Sequence, residues 1–129
     1  VVIKKGNLND CLTITISNEF KIGSIDLTIL ENCESFISGI IEMIPDDSPF
    51  SLFNTVYGYN FMVELEYRGK GYGVSLLGEV EKHLKSRGIK YLLMYRESNN
   101  KKLNNFYRKL NYVDIFYNEN STLFYKELH

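Results

Sequence analysis

Hydrophobic and polar positions alternate through the first part of this chain and then change period. From Leu12 to Ser17 apolar residues trade places with threonine, and from Phe20 to Leu30 the alternation resumes through Ile22, Ser24, Asp26 and Thr28. A period of two marks a strand with one face on a core. Asn18 and Glu19 between the two runs suit a turn, so the pattern predicts paired strands. Residues 35–44 form a third apolar segment, with Phe36, Ile37, Ile40, Ile41 and Met43, whose spacing fits a strand or a short helix about equally; it is read here as a strand. Pro45, Asp46, Asp47, Ser48 and Pro49 predict a loop, because two prolines lock φ and interrupt any ladder. Residues 56–66 return to β character.

The period then lengthens. After Tyr72, Leu76, Leu77, Val80 and Leu84 share one side of a helical cylinder, and Glu79, Glu81, Lys82 and Lys85 lie elsewhere on it. The helix should end at Gly88, which adopts a left-handed C′ conformation without a Cβ penalty. Residues 89–96 read as a short apolar strand. A second helix runs from about Asn99 or Asn100 to Leu110, with Leu103, Phe106, Tyr107 and Leu110 on one face and Asn111 in the left-handed position that asparagine also tolerates. Residues 113–117 and 122–128 close the chain as two strands around the turn Asn118, Glu119, Asn120, Ser121. His83 falls mid-helix beside the Leu76 and Val80 stripe and is expected to pack there.

The chain has 129 residues, of which 44% are hydrophobic and 24% charged, enough apolar material for one core and one domain over 1–129. Fifteen basic and 16 acidic residues leave a net charge of −1, which gives nucleic acid or an anionic membrane no bulk attraction. No apolar stretch approaches the roughly 20 residues that span a bilayer. Cys11 and Cys33 show neither CxxC nor Cys/His ligand spacing, so reduced thiols, no metal and a cytoplasmic protein are expected.

Chemistry concentrates in residues 61–73, FMVELEYRGKGYG. A strand gives way to Arg68, then to Gly69, Gly71 and Gly73 directly before the first helix. Glycines there let backbone N–H groups approach a ligand, and the helix N-terminus adds about half a positive charge, so a phosphate or pyrophosphate is the expected guest. Arg68 and Lys70 add charge on either side of Gly69. A Walker A loop is excluded, since Lys70 precedes Gly71 and no glycine stands five residues before Gly69. A dinucleotide fingerprint fits poorly, because its third glycine falls on Val74 or Leu76 and the ribose-binding acid is missing where Leu93, Met94 and Tyr95 lie.

Arg68-Gly69-Lys70-Gly71-Tyr72-Gly73 resembles the Arg/Gln-x-x-Gly-x-Gly/Ala motif of the GNAT superfamily of acetyl-CoA-dependent N-acetyltransferases. Asn100 followed by Phe106-Tyr107-Arg108-Lys109-Leu110-Asn111-Tyr112 resembles that family's second motif, Asn…Phe-Tyr-x-Lys-x-Gly-Phe. The resemblance covers about residues 20–128. It implies an α+β fold: a mixed, mostly antiparallel sheet of about six or seven strands, two main helices and a splay between the two central strands. It also implies acetyl-CoA as co-substrate. The amides of Gly69, Lys70, Gly71, Tyr72, Gly73 and Val74 and the Arg68 side of the loop would hold the pyrophosphate. Phe61, Met62 and Val63 would run beside the pantetheine arm, with a backbone N–H near Val63 facing the thioester carbonyl. Asn100 would contact the coenzyme, and Tyr107 would protonate the leaving thiolate.

Two departures from the family pattern accompany the resemblance. No carboxylate occupies the usual general-base positions, which fall on Tyr95 and near Tyr57; Glu64 and Glu97 are the nearest acids, and period-two geometry puts Glu97 on the face of Tyr95. The two helices expected between the first and second strands are missing, because only Asn18 and Glu19 separate the strand-like runs. An open cleft and an amine acceptor on a protein or other large molecule are therefore expected, with a homodimer through exposed strand edges as a further expectation. The competing reading is a coenzyme A-binding or interaction module without turnover.

Overall fold

The computed structural model describes residues 2–5, 12–30, 39, 42, 44–51, 53–96, 101–117 and 120–129. The alternating runs become β2 (Leu12–Ser17) and β3 (Lys21–Ile29), an antiparallel hairpin preceded by a strand the pattern did not predict, β1 (Val2–Lys5). At the hairpin turn the Asn18 side chain accepts from the Phe20 amide at 2.8 Å. β4 (Thr55–Val63) pairs with β3, and a single turn of tighter helix, Leu65–Tyr67, follows it. Helix α1 (Tyr72–Ser86), β5 (Tyr91–Arg96), helix α2 (Lys101–Lys109), β6 (Val113–Tyr117) and β7 (Thr122–Glu127) complete the chain.

The seven strands make one sheet in the order β1-β2-β3-β4-β5-β7-β6. Only β4 and β5 run parallel; every other pairing is antiparallel. The α+β fold with its mixed, mostly antiparallel sheet is therefore as the resemblance implied. Residues 35–44 correct the reading as a strand: Gly39 and Glu42, two of the described residues there, have helical backbone. A run with isoleucines three and four apart satisfies the helical period as readily as the strand period, and only the surroundings decide between them. Cys11, Cys33, Glu97, Asn100 and the first half of the 118–121 turn lie outside the described residues.

The core occupies the sheet face beneath α1. Leu76, Leu77, Val80 and Leu84 are fully buried against Leu12, Ile14, Ile22, Ile25, Leu27, Val56 and Leu92. Burial of each such side chain contributes roughly 1.5–3 kcal/mol. The opposite face carries Leu30, Tyr57, Leu93 and Leu123 with Tyr59, Tyr95 and Phe116 packed around them. Both helices stop as their terminal residues dictate. Gly88 has φ +76 and Asn111 φ +69. In each case the next residue reaches back six-to-one, Ile89 to the Leu84 carbonyl and Tyr112 to the Tyr107 carbonyl, both at 3.1 Å.

Candidate active site

The site begins with a bulge. Ser24 faces Met62 and Asp26 faces Tyr59, so Asn60 and Phe61 together oppose Ile25 alone. Asn60 takes φ +53, and its side-chain amide donates to Asp26 at 3.1 Å; Thr13 donates to the other carboxylate oxygen at 2.7 Å. An extra residue inverts the alternation of a strand. Tyr57 and Tyr59 pack on the far face, whereas Phe61 and Val63 pack on the face of α1 and α2.

The same stretch loses its neighbour. β4 pairs with β5 only from Thr55↔Tyr91 to Gly58↔Met94. Beyond Gly58 the two central strands part, which is the splay expected from the resemblance. The Glu64 amide donates to the Ile22 carbonyl at 2.7 Å, so Val63 and Gly23 form the widely spaced type of antiparallel pair. The Val63 N–H and C=O accordingly turn from β3 toward the gap, where the Val63 carbonyl accepts from Arg68 Nε at 2.8 Å. Close contact with β3 is built in at Gly23, where a Cβ would stand 2.7 Å from the Met62 carbonyl oxygen.

Phe61, Met62, Val63, Arg68, Lys102, Leu103, Phe106 and Tyr107 line a cleft of about 560 Å³. Arg68 of this lining directly precedes the glycine turn. Gly69 and Gly71 have φ +77 and +84, and nothing lies within 4 Å of where a Cβ would stand at either. Gly71 opens α1 with no side chain capping it and no acidic residue in the first turn. The Tyr72, Gly73 and Val74 amides are thus exposed to whatever approaches, with the positive end of the helix behind them. Gly73 is glycine for a different reason: its Cβ position is bounded by Phe106, Phe61 and Val63 at 3.4–3.7 Å. Space and donors together fit a diphosphate.

Tyr107, also in the lining, sits in a corner of rings. Tyr107 is 5% exposed, with its centroid 4.4 Å from Phe124, 5.6 Å from Tyr112, 5.2 Å from Phe106 and 6.3 Å from Phe61. Burial pushes the Tyr107 phenol well above its ordinary pKa, and the Arg96 guanidinium, 5.4 Å from the ring, pulls the other way. Tyr112 is pushed up as well, by burial first and then by the Glu81 carboxylate it donates to at 3.4 Å.

The structure therefore gathers Phe61, Met62, Val63, Arg68 and Tyr107 around one cleft, with Gly69, Lys70, Gly71, Tyr72, Gly73 and Val74 in the turn that opens α1. Glu64 is half-buried and does not line the cleft. Among the described residues no three acidic, histidine or cysteine side chains are grouped to hold a metal. Sequence reasoning missed Lys102 and Leu103 as lining residues, the Asn60 bulge and Arg96. For Arg96 the signal existed: period-two geometry puts it on the buried face of Leu92 and Met94, an unusual place for a guanidinium.

A model of the acetyltransferase (GNAT) family matches residues 22–112. The chain belongs to that family. No curated protein matches it. Among solved structures it is similar to PaiA N-acetyltransferase from Thermoplasma acidophilum in complex with coenzyme A, at TM-score 0.67 and 22% identity, covering 92% of this chain and 61% of that one. It is also similar to a GNAT-family acetyltransferase from Staphylococcus aureus, at TM-score 0.66 and 17% identity over 92% and 68% of the two chains. The ribosomal-protein-S18-alanine N-acetyltransferase from Escherichia coli follows at 0.65 and 13%, over 92% and 69%. At these identities the likeness is one of fold, and the chain spans less than two thirds of the Thermoplasma enzyme. Among the described residues no helix of this GNAT domain is long and apolar enough to cross a membrane.

Proposed function

We propose that this domain transfers an acetyl group from acetyl-CoA to a primary amine on a protein or other large acceptor, by direct attack within a ternary complex. One observation carries the reading: the cleft beside the unpaired end of β4 is lined by both Tyr107 and Arg68, the residue directly before the open glycine turn that starts α1, and Gly73 of that turn lies against its lining residues Phe61, Val63 and Phe106. The coenzyme of the Thermoplasma relative supports the same occupant here.

In this reading the Gly69 to Val74 turn binds the diphosphate through main-chain amides, with Arg68 and Lys70 at its sides. The coenzyme supplies an activated thioester. The Val63 N–H donates to the thioester oxygen as it gains negative charge, a type of contact that strengthens toward the transition state. The amine lone pair forms the new C–N bond and the C–S bond breaks. Sulfur keeps the bonding electrons and takes a proton from the Tyr107 hydroxyl. The proton lost by the attacking nitrogen leaves through water, with Glu64 and Glu97 as the nearest carboxylates in sequence, and restores the phenol. Asn100, directly before the start of α2 in numbering, is assigned to the coenzyme by motif alone.

A large acceptor is supported by the surface at the end of β4. Met62 and Leu65 are 42% and 77% exposed, and among the described residues none before Leu30 is helical. Intact-mass analysis with acetyl-CoA and a mixed peptide and small-amine library tests the whole reading. Amine-dependent thiol release with gain of one acetyl group on peptide amines is expected. Coenzyme A binding without any turnover supports an interaction module instead, and equal thermal stabilisation by ATP, NAD and coenzyme A rules out the coenzyme reading.

A further inference from the structure

Arg96 ends β5 as a buried cation with little to hold it. It is 9% exposed, and among the described residues only one of its three nitrogens, Nη2, has a partner, the Asn104 side-chain oxygen of α2. Nε and Nη1 are buried without one. Directly opposite across the β5–β7 pair stands Thr122, 1% exposed, whose hydroxyl is also buried without a partner among the described residues. Unsatisfied donors on a buried charge are costly, and a hydrophobic residue at such a place is usually at least as stabilising. The guanidinium is spent on rings. Its Cζ lies 5.4 Å from the centroid of Tyr107 and 4.8 Å from that of Phe124. Asn104 lies one turn before Tyr107 on α2, so the same bond that holds Arg96 also ties it to the helix carrying the phenol.

Resting on the proposed acetyl transfer, we infer that Arg96 is a positioning residue: it fixes the Tyr107 ring from behind and supplies the fixed positive charge that makes its hydroxyl a competent proton donor. Arg96 does not line the cleft, so it acts through Tyr107 and not on substrate. When Tyr107 gives its proton to the leaving sulfur, a phenolate remains in a buried site. A neighbouring cation offsets that charge at the moment it forms, whereas burial alone would leave the phenol too weak an acid. An arginine suits the task because it stays protonated in spite of burial, which lowers its pKa while Asp114 and Tyr107 raise it.

Arg68 and Lys102 line the same cleft as Tyr107, but both are solvent-exposed and screened, and the groups packed around the ring do not replace the Arg96 charge. Phe61 of β4, Phe106 of α2 and Phe124 of β7 are neutral. Tyr112 is a second buried phenol, and behind it Glu81 pairs with Lys126 at 2.6 Å, so that pair is internally neutralised. Arg108 is occupied by Asp114 at 3.1 Å on the exposed side of α2.

The experiment labels the protein with 3-fluorotyrosine and follows 19F resonances against pH. The fluorine makes phenols more acidic and brings the titration into reach. Since the chain has 10 tyrosines, the Tyr107 signal is assigned by its loss in Tyr107→Phe. A unit charge at this distance in a medium of dielectric constant near 20 is worth on the order of 2 pH units. Arg96→Met should therefore raise the titration of fluorotyrosine 107 by about that much, and Arg96→Lys should return most of it. Turnover with acetyl-CoA and an amine peptide should fall roughly tenfold or more in Arg96→Met and should fall no further when that change is added to Tyr107→Phe. An unmoved titration in Arg96→Met overturns the inference, as does an equal loss of turnover in the Tyr107→Phe background. Should Arg96→Met not fold, Arg96→Gln is read by the same two criteria. The titration needs no coenzyme, so a responsive phenol in a protein without transferase activity refutes the proposed function and leaves the electrostatic coupling standing.

Discussion

The two ends of the candidate site, the glycine turn and the Tyr107 corner, are built from opposite materials. At the α1 end the site is backbone and empty space: two glycines with positive φ, uncapped amides, and no side chain crowding either turn position. At the α2 end it is side chains and no space: Tyr107 sits among four rings with a buried guanidinium behind it. A backbone site reads charge and shape and tolerates any residue whose φ and bulk permit the turn. A side-chain site depends on one functional group and on the packing that aims it. Substitutions should therefore act on binding at one end and on turnover at the other.

The largest effect should come from Tyr107→Phe. Removing one hydroxyl preserves the ring contacts but takes away the proton donor, so kcat should drop by about 10²–10³-fold, within the range general acids supply. Coenzyme affinity, followed by calorimetry, should change little. The converse is expected at Gly71→Ala. A Cβ there meets no protein atom, but φ +84 costs a non-glycine residue about 1–2 kcal/mol, and the methyl group points into space assigned to the diphosphate. Gly88→Ala is the matched control, since Gly88 has φ +76, equal freedom around its Cβ and a position at the far end of α1. Both variants should lose similar stability in urea, while only Gly71→Ala should lose coenzyme A affinity, by about tenfold. Equal affinity in the two would remove the turn from the site.

The two ends also differed in how far they could be read from sequence. Glycines at 69, 71 and 73 before an amphipathic stripe announce both the helix and its open N-terminus, because conformational freedom is a property of the residue itself. The stops at Gly88 and Asn111 were legible on the same ground. The ring corner was only half legible. Motif resemblance pointed to Tyr107, but Arg96 and Phe124 meet it through the β5–β7 register, a long-range fact that no local pattern contains. The inverted alternation after Asn60 belongs to the same class, since a bulge is set by pairing with β3. The short β1 was missed because four residues carry too little periodicity, and residues 35–44 were misread because their spacing serves two periods.

The ring corner should also be visible in alkaline stability. Tyr107 and Tyr112 both titrate above the ordinary tyrosine value in the folded protein, while the unfolded chain ionises near pH 10. Above that pH the unfolded state binds fewer protons than the folded state, so the free energy of unfolding falls as pH rises. Their contribution is complete below about pH 10 and is lost progressively as pH climbs toward the folded values. Urea unfolding at pH 9 and pH 11 should show a steeper decline for the wild-type protein than for Tyr107→Phe, which has one raised phenol fewer. Parallel declines would mean that the corner admits water.

The smallest effect is expected where the two materials meet. Arg68 is an exposed side chain, yet its Nε donates to the Val63 carbonyl at 2.8 Å and so braces the unpaired end of β4 against the turn. A solvent-exposed hydrogen bond from a charged group contributes little to folding, so Arg68→Ala should cost less than about 1 kcal/mol in urea. Its charge matters more to an anion than to the fold. Coenzyme A affinity should weaken by about three- to tenfold at low salt, an amount consistent with one partly screened charge, and the difference should shrink at high salt. Arg68→Lys keeps the charge but not the planar donor that reaches Val63. If Lys restores affinity at low salt, Arg68 serves the diphosphate; if it restores nothing, bracing β4 is the role, and the loop's grip belongs to the main chain alone.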